Sequence, residues 1–181
     1  MKSRLVRTVL IVLIIVANIG CDQVSKSVVR KKIMFYETIG YFHNHFVITK
    51  VENTGAFLSL GNDMSKSGRS IFLLLIPAAM LVFGLVYLFI KPNLPTLALV
   101  GFSCVIGGGI ANIFDRIYYG SVTDFLYIDL GIAHTGVFNL ADVSIVTGLL
   151  LVLLQSLLSR KKPKEPSGET AAAAPGNESG G

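Results

Sequence analysis

Four long apolar runs constrain this 181-residue chain more than any other feature. The first follows the basic start Met-Lys-Ser-Arg-Leu-Val-Arg and ends near Cys21; the others cover about 70–90, 96–114 and 137–159. A helix rises about 1.5 Å per residue, so about 20 apolar residues cross a hydrocarbon core of about 30 Å. Nothing in lipid can satisfy an open backbone, so each run must close its own hydrogen bonds as a helix. Half the residues are hydrophobic (52%), far from the profile of a soluble domain. The fold class expected is an all-α membrane protein with four transmembrane helices.

The segments between the runs carry the remaining structure. In 41–60 the residues Phe46, Ile48 and Lys50 alternate with Val47, Thr49 and Val51, the period of a strand. Asn53-Thr54-Gly55 signals a turn, and Ala56 to Leu60 can form a return strand. These features predict a small antiparallel β-sheet outside the hydrocarbon. Pro77 falls inside the second run as a tolerable kink, and Lys91 to Pro95 form a short turn. Gly101, Gly107, Gly108 and Gly109 in the third run read as close helix packing. They do not make a phosphate loop, since no strand precedes them and no Gly-Lys-Ser/Thr follows. Residues 1–162 form one membrane domain, and 163–181, without core-forming residues, are expected to be a disordered tail.

The first run also looks like a signal peptide ending in Asn18-Ile19-Gly20-Cys21, but three more spans follow, so an uncleaved helix is the expectation. Net charge is +5, yet Lys and Arg gather at segment ends without interleaved aromatics, which excludes a nucleic-acid footprint. Four spans put both termini on one side. Lys and Arg divide eight and eight between the two sides, and the weight of the first helix places Lys2, Arg4 and Arg7 in the cytoplasm. Cys21 and Cys104 read as free thiols in apolar segments.

Carboxylates crowd against the apolar runs in one stretch, 107–142, which holds Asp115, Asp124, Asp129 and Asp142. An ionisable group beside a span is costly and is a functional candidate by default. Asp124 sits on a loop re-entering the interface, and Asp142 on the first turn of the fourth span. Two carboxylates held close share a proton, and such a pair can hydrolyse a peptide bond by general acid–base catalysis. Bland readings compete: Asp142 as a helix-start charge, since Asn139-Leu140-Ala141-Asp142 reads as a helix start, and Asp124 as a solvated loop acid. Asp22 and Lys26 share a helix face just past the first span. Arg116 either pairs with its neighbour Asp115 or turns toward a substrate headgroup. Asn112 and Asn139 either contact the carboxylates or join helices. His43 and His45, on one strand face, lack a clustered third ligand for a metal, and Ser121, Ser144 and Lys26 lack a motif that would place a Ser–Lys pair. A small proton-coupled transporter using the Asp pair as a relay is the alternative, although the second span carries no deep polar residue.

The set Asp22–Lys26, Asn53-Thr54-Gly55-Ala56-Phe57, Gly108 to Asn112 with Asp115-Arg116, Gly120 with Val122-Thr123-Asp124-Phe125, and Phe138 to Asp142 resembles bacterial lipoprotein signal peptidase, signal peptidase II. The resemblance covers about residues 5–160 in order. It implies a multi-pass aspartic endopeptidase of the bacterial inner membrane that removes signal peptides from diacylglyceryl-modified prolipoproteins, cutting before the lipidated Cys. It implies Asp124 and Asp142 as catalytic, and Asn53, Gly55, Asn112, Arg116 and Asn139 as substrate-binding. Asp22, Lys26, Gly108, Asp115 and Ala141 match structural positions near the site. No cofactor or metal is expected. Partners are prolipoprotein substrates and membrane lipids, with no nucleic acid and a monomeric chain. One departure is Ala111-Asn112, where the family commonly has Gly-Asn; it bears on the helix packing there and not on the chemistry.

Overall fold

A computed structural model of the chain describes residues 4–55, 68 and 71–160. In order they form α1 (Arg4–Lys32), β1 (Thr38–Tyr41), β2 (Phe46–Asn53), a π-helical turn (Ile71–Leu75), α2 (Ile76–Ile90), α3 (Thr96–Tyr119), β3 (Val122–Ile128) and α4 (Leu140–Arg160). Four stretches, Arg4–Lys32, Ile71–Ile90, Thr96–Tyr119 and Leu140–Ser159, are long and apolar enough to cross a membrane. The protein is therefore a multi-pass membrane protein with a three-stranded antiparallel sheet, as expected. The return strand at Ala56 to Leu60, the start of the second run at Ser70 and the tail from 163 lie outside the described residues.

The helix ends differ from the sequence reading by a few residues, for local reasons. The third run continues to Tyr119 and stops at Gly120, whose φ of 77° ends the helix in the left-handed region. The fourth helix starts at Leu140 rather than Val137, because Asn139 caps it: the Asp142 N–H donates to Asn139 Oδ1 at 2.9 Å, and the Asn139 N–H donates to Asp142 Oδ2 at 3.1 Å. Pro77 sits in the first turn of α2, and the turn before it is π-helical, so the proline does not kink a regular helix. A ring that removes an N–H and crowds the carbonyl four residues back favours such an opened turn.

The middle of the bundle is α3. Half of its apolar window is buried, against 11%, 6% and 17% for α1, the Ile71–Ile90 span and α4. Leu99 and Ile106 of α3 meet Ile11 and Ile15 of α1 and Leu88 of α2 in the apolar core. Lipid is as apolar as leucine, so close packing and polar contacts hold such helices together. Glycine supplies the closeness: a Cβ on Gly101 would collide with the Gly148 carbonyl of α4, and one on Gly108 with the Ala141 carbonyl. Ala111, at the departure from the family pattern, is fully buried, and the helices still close around it.

Both ends of the bundle are tied by polar side chains. At one end buried Arg7 donates to the carbonyls of Leu88 and Lys91, closing the C-terminus of α2 with a cation. At the other end Asp22 of α1 accepts from the Ala141 N–H of α4 at 2.9 Å. Between them the single hydroxyl proton of Ser144 of α4 is shared between Asn18 Oδ1 of α1 and the Cys104 carbonyl of α3. The sheet stands at the Asp22 end, in the order β1-β2-β3. Strand β2 pairs with β3 through Val51↔Asp124, Glu52↔Thr123 and Asn53↔Val122, with an irregularity between Ile48 and Val51. Asp124 therefore lies on a strand, not on a loop as the sequence reading had it. His43 and His45 do not share a strand face either: they lie in the β1–β2 turn, and His45 Nδ1 is 2.6 Å from the Asp129 carbonyl.

Candidate active site

Side chains alternate along a strand, and β3 uses both faces. Thr123 turns toward the helices: its hydroxyl donates to Glu52 Oε1 at 2.7 Å and accepts from Arg30 Nε at 2.8 Å. Ser121 donates to the other Glu52 oxygen. This face anchors the strand. Asp124 points the opposite way, into a small polar cavity of about 50 Å³ that it shares with Asp142, Asn53, Asn112, Arg116 and Asn139. A space of that size admits water between polar partners.

Three asparagines orient the two carboxylates by one device. Each amide oxygen is held by a scaffold donor, so each amide NH2 faces a carboxylate. Asn53 Oδ1 accepts from the Gly55 N–H at 3.0 Å, and its NH2 donates to Asp124 Oδ2 at 2.9 Å. Asn139 Oδ1 accepts from the Asp142 N–H, and its NH2 donates to Asp124 Oδ1 at 2.6 Å. Asn112 Oδ1 accepts from Lys26 Nζ at 2.9 Å, and its NH2 donates to Asp142 Oδ1 at 2.9 Å.

Lys26 is fully buried and spends its three donors on Asn112, Asp22 at 2.7 Å and Asp115 at 2.8 Å. Arg30 pairs with Asp115 at 3.0 Å, and its guanidinium lies 3.7 Å over the Tyr119 ring. Gln23 also donates to Asp115, at 3.0 Å. Asp115 thus pairs with α1 and not with adjacent Arg116, which lies about 100° around the helix from it. Arg116 turns to the cavity, donating to the Gly55 carbonyl at 3.1 Å and its own helix's Asn112 carbonyl at 3.4 Å.

Asp124 is 3% exposed. Burial pushes its carboxyl up to about 6; the amide donors of Asn53 and Asn139 oppose the rise, Asp142 adds to it and Lys26 opposes it. Asp142, half-buried at the first turn of α4, opens to the same cavity. Two acids in one cavity, one of them withdrawn from water, can divide the work of holding and taking a proton.

Comparison with known proteins places the chain in a family. The signal peptidase (SPase) II family model matches residues 14–158. The chain belongs to the signal peptidase II family. The lipoprotein signal peptidase of Borrelia hermsii (strain HS1 / DAH) is 33% identical over 167 residues, covering 89% of this chain and 95% of the relative. That of Clostridioides difficile (strain 630) is 34% identical over 155 residues, covering 86% and 99%. A solved bacterial membrane enzyme, determined by the in meso method at 2.3 Å, superposes with a TM-score of 0.75 at 26% identity, covering 88% of this chain and 94% of that one.

Every site residue expected from the signal peptidase II resemblance gathers at this end of the bundle. Asp124, Asp142, Asn53, Asn112, Arg116 and Asn139 line the cavity. Gly55 binds Arg116, and Asp22, Lys26, Asp115, Gly108 and Ala141 form the support. The sequence reading gave no role near the site to Gln23, Arg30, Glu52 or Thr123, and weighed Ser121 only for a Ser–Lys pair. Arg30 was detectable, since Asp22, Lys26 and Arg30 recur every four residues along one face of α1. Glu52 and Thr123 were not, because their pairing depends on a strand register that joins distant segments.

Proposed function

We propose that this chain is the membrane peptidase that removes signal peptides from diacylglyceryl-modified prolipoproteins, with Asp124 and Asp142 as its catalytic pair. The observation that carries the reading is the shared cavity in which asparagine amides aim both carboxylates at one space. In the resting pair Asp124 holds the proton and Asp142 is the base. Asp142 takes a proton from water as the water oxygen attacks the scissile carbonyl carbon, and Asp124 gives its proton to the carbonyl oxygen. The tetrahedral diol then collapses. The C–N bond breaks, the leaving nitrogen takes the proton from Asp142, and a diol hydroxyl returns one to Asp124. Arg116 Nε is buried and has no acceptor among the described residues, so a substrate carbonyl would satisfy it. Asn53, Gly55, Asn112 and Asn139 complete the substrate contacts. The direct test is cleavage of a lipidated prolipoprotein peptide by the purified protein in bilayer or detergent. Products divided just before the lipidated Cys support the reading, and an uncut substrate sinks it.

The alkaline side of the pH profile belongs to the coupled pair, and the proton held on Asp124 contributes to it. Above about 6 the free enzyme loses that proton, so kcat/KM falls as pH rises through this range. Asn53 favours the ionised carboxylate by donating to it, so Asn53→Ala holds the proton more tightly. The alkaline limb of kcat/KM is expected to move to higher pH in Asn53→Ala; a limb moving down would contradict the role given to Asp124.

The site lies at the bundle end opposite Arg7 and Lys91. With the basic start in the cytoplasm, it faces the outer side of the bacterial inner membrane. Reporter fusions at Asn62 and Asn93 are expected to read opposite sides, and the same side for both would overturn this topology.

A further inference from the structure

Two larger concavities meet the carboxylate cavity, and each shares one residue with it. A trough of about 440 Å³ on the sheet reaches it at Val137. A groove of about 310 Å³ reaches it at Asp142. The two have different chemistry. Tyr36, Thr38, Asn44 and Thr49 give the trough hydroxyl and amide groups suited to a peptide. The groove runs along the first two turns of α4 between Thr135, Gly136, Phe138, Val143, Val146 and Thr147, and Asp142 is the only charged group that lines it among the described residues. A third concavity, about 480 Å³ between α2, α3 and α4, shares no residue with the cavity.

We propose that the groove beside Asp142 is the subsite for an acyl chain of the substrate's diacylglyceryl group, and that Val143, Val146 and Thr147 set the preferred chain. This rests on the peptidase reading above. Apart from Asp142 and the hydroxyls of Thr135 and Thr147 the walls are hydrocarbon, so a polar mature chain gains little there. Val143 is 41% and Val146 55% exposed on a membrane-spanning helix, so the groove opens sideways into the bilayer, where an acyl chain already lies. Its rim is a carboxylate of the reacting pair, so a chain in it is attached within a few bonds of the scissile peptide. A thioether-linked lipid on the residue after the cut meets that requirement, whereas a free bilayer lipid has no reason to end at Asp142.

The test compares two synthetic peptide substrates, identical except for dipalmitoylglyceryl or dioctanoylglyceryl on the cysteine. Val146→Trp fills the groove, and Leu153→Trp adds the same bulk farther along the lipid face of α4. In Val146→Trp, KM for the dipalmitoyl substrate is expected to rise by about tenfold, equivalent to roughly two methylenes losing their burial. The rise for the dioctanoyl substrate should be clearly smaller, and Leu153→Trp should change neither. An equal loss on both substrates would overturn the acyl assignment and give the groove to the peptide. If the wild-type protein cuts neither substrate, the peptidase reading itself fails. A photoreactive group placed along the acyl chain keeps the question open to measurement even if Val146→Trp does not fold. With wild-type protein it should label residues 143–147, and labelling concentrated on α2 would overturn the proposal.

Discussion

Asp124→Asn and Asp142→Asn are each expected to lower the rate of lipidated-substrate cleavage by about a thousandfold or more, with folded protein still in the membrane. An amide of nearly the same shape fills each site, so packing around Asn53, Asn112 and Asn139 survives. What disappears is the chemistry: an amide neither takes the proton of water nor donates one to the leaving nitrogen. Because the two carboxylates act on one proton inventory, the double variant should be about as inactive as either single one. The acid and alkaline limbs of the pH profile accordingly belong to the pair. Asp129→Asn is the control, since among the described residues Asp129 bonds within its own loop and across to the β1–β2 turn, and its rate should be near that of the parent. Near-normal turnover in Asp124→Asn would end the aspartyl mechanism and reopen a serine or metal one.

Lys26→Met is expected to cost about 3–5 kcal/mol of stability, the usual penalty when one partner leaves a buried ionic cluster. Asp22, Lys26 and Asp115 are all fully buried. The methionine fills most of the volume but leaves Asp22 with the Ala141 N–H and a weak contact from Gln23, and Asp115 with Arg30 and Gln23. Thermal unfolding in detergent should show the loss, and Asp115→Asn added to Lys26→Met should restore part of it by removing one uncompensated charge. A second effect separates the lysine's two tasks. Asn112 loses the donor that fixes its amide, so kcat should remain low at temperatures where Lys26→Met is still folded. A variant with the parental melting temperature would show that the cluster is not what joins these helices.

Spans were legible because lipid leaves the backbone so little choice: a run of about 20 apolar residues has one solution. The pair Asp22–Lys26 was legible because four residues bring two side chains together on any helix. Asn139 was legible as a helix start, and its cap is the one observed. The sheet was only half readable. In 122–128 the residues Val122, Thr123, Phe125, Tyr127 and Ile128 have strand character, yet the acids nearby drew the segment toward a loop reading. No local pattern says that Asp124 faces the cavity while Thr123 faces Arg30. That is decided by pairing with Val51 and Glu52 some seventy residues earlier, and a slip of one residue would exchange the two. The aims of the three asparagine amides are likewise set by donors elsewhere in the chain.

The cap at Asn139 has a bearing on when the protein becomes active during its own synthesis. The same residue caps the last helix and holds Asp124, and the first turn of that helix is pinned by Asp22, 119 positions earlier. A ribosome-bound chain that has inserted three spans possesses one carboxylate of the pair and the Asn53 amide, but neither the second carboxylate nor the Asn139 amide that also aims the first. Competence arrives in a single step, when the final segment enters the bilayer and docks against the first. On the proposed mechanism the growing chain cannot cut before that step.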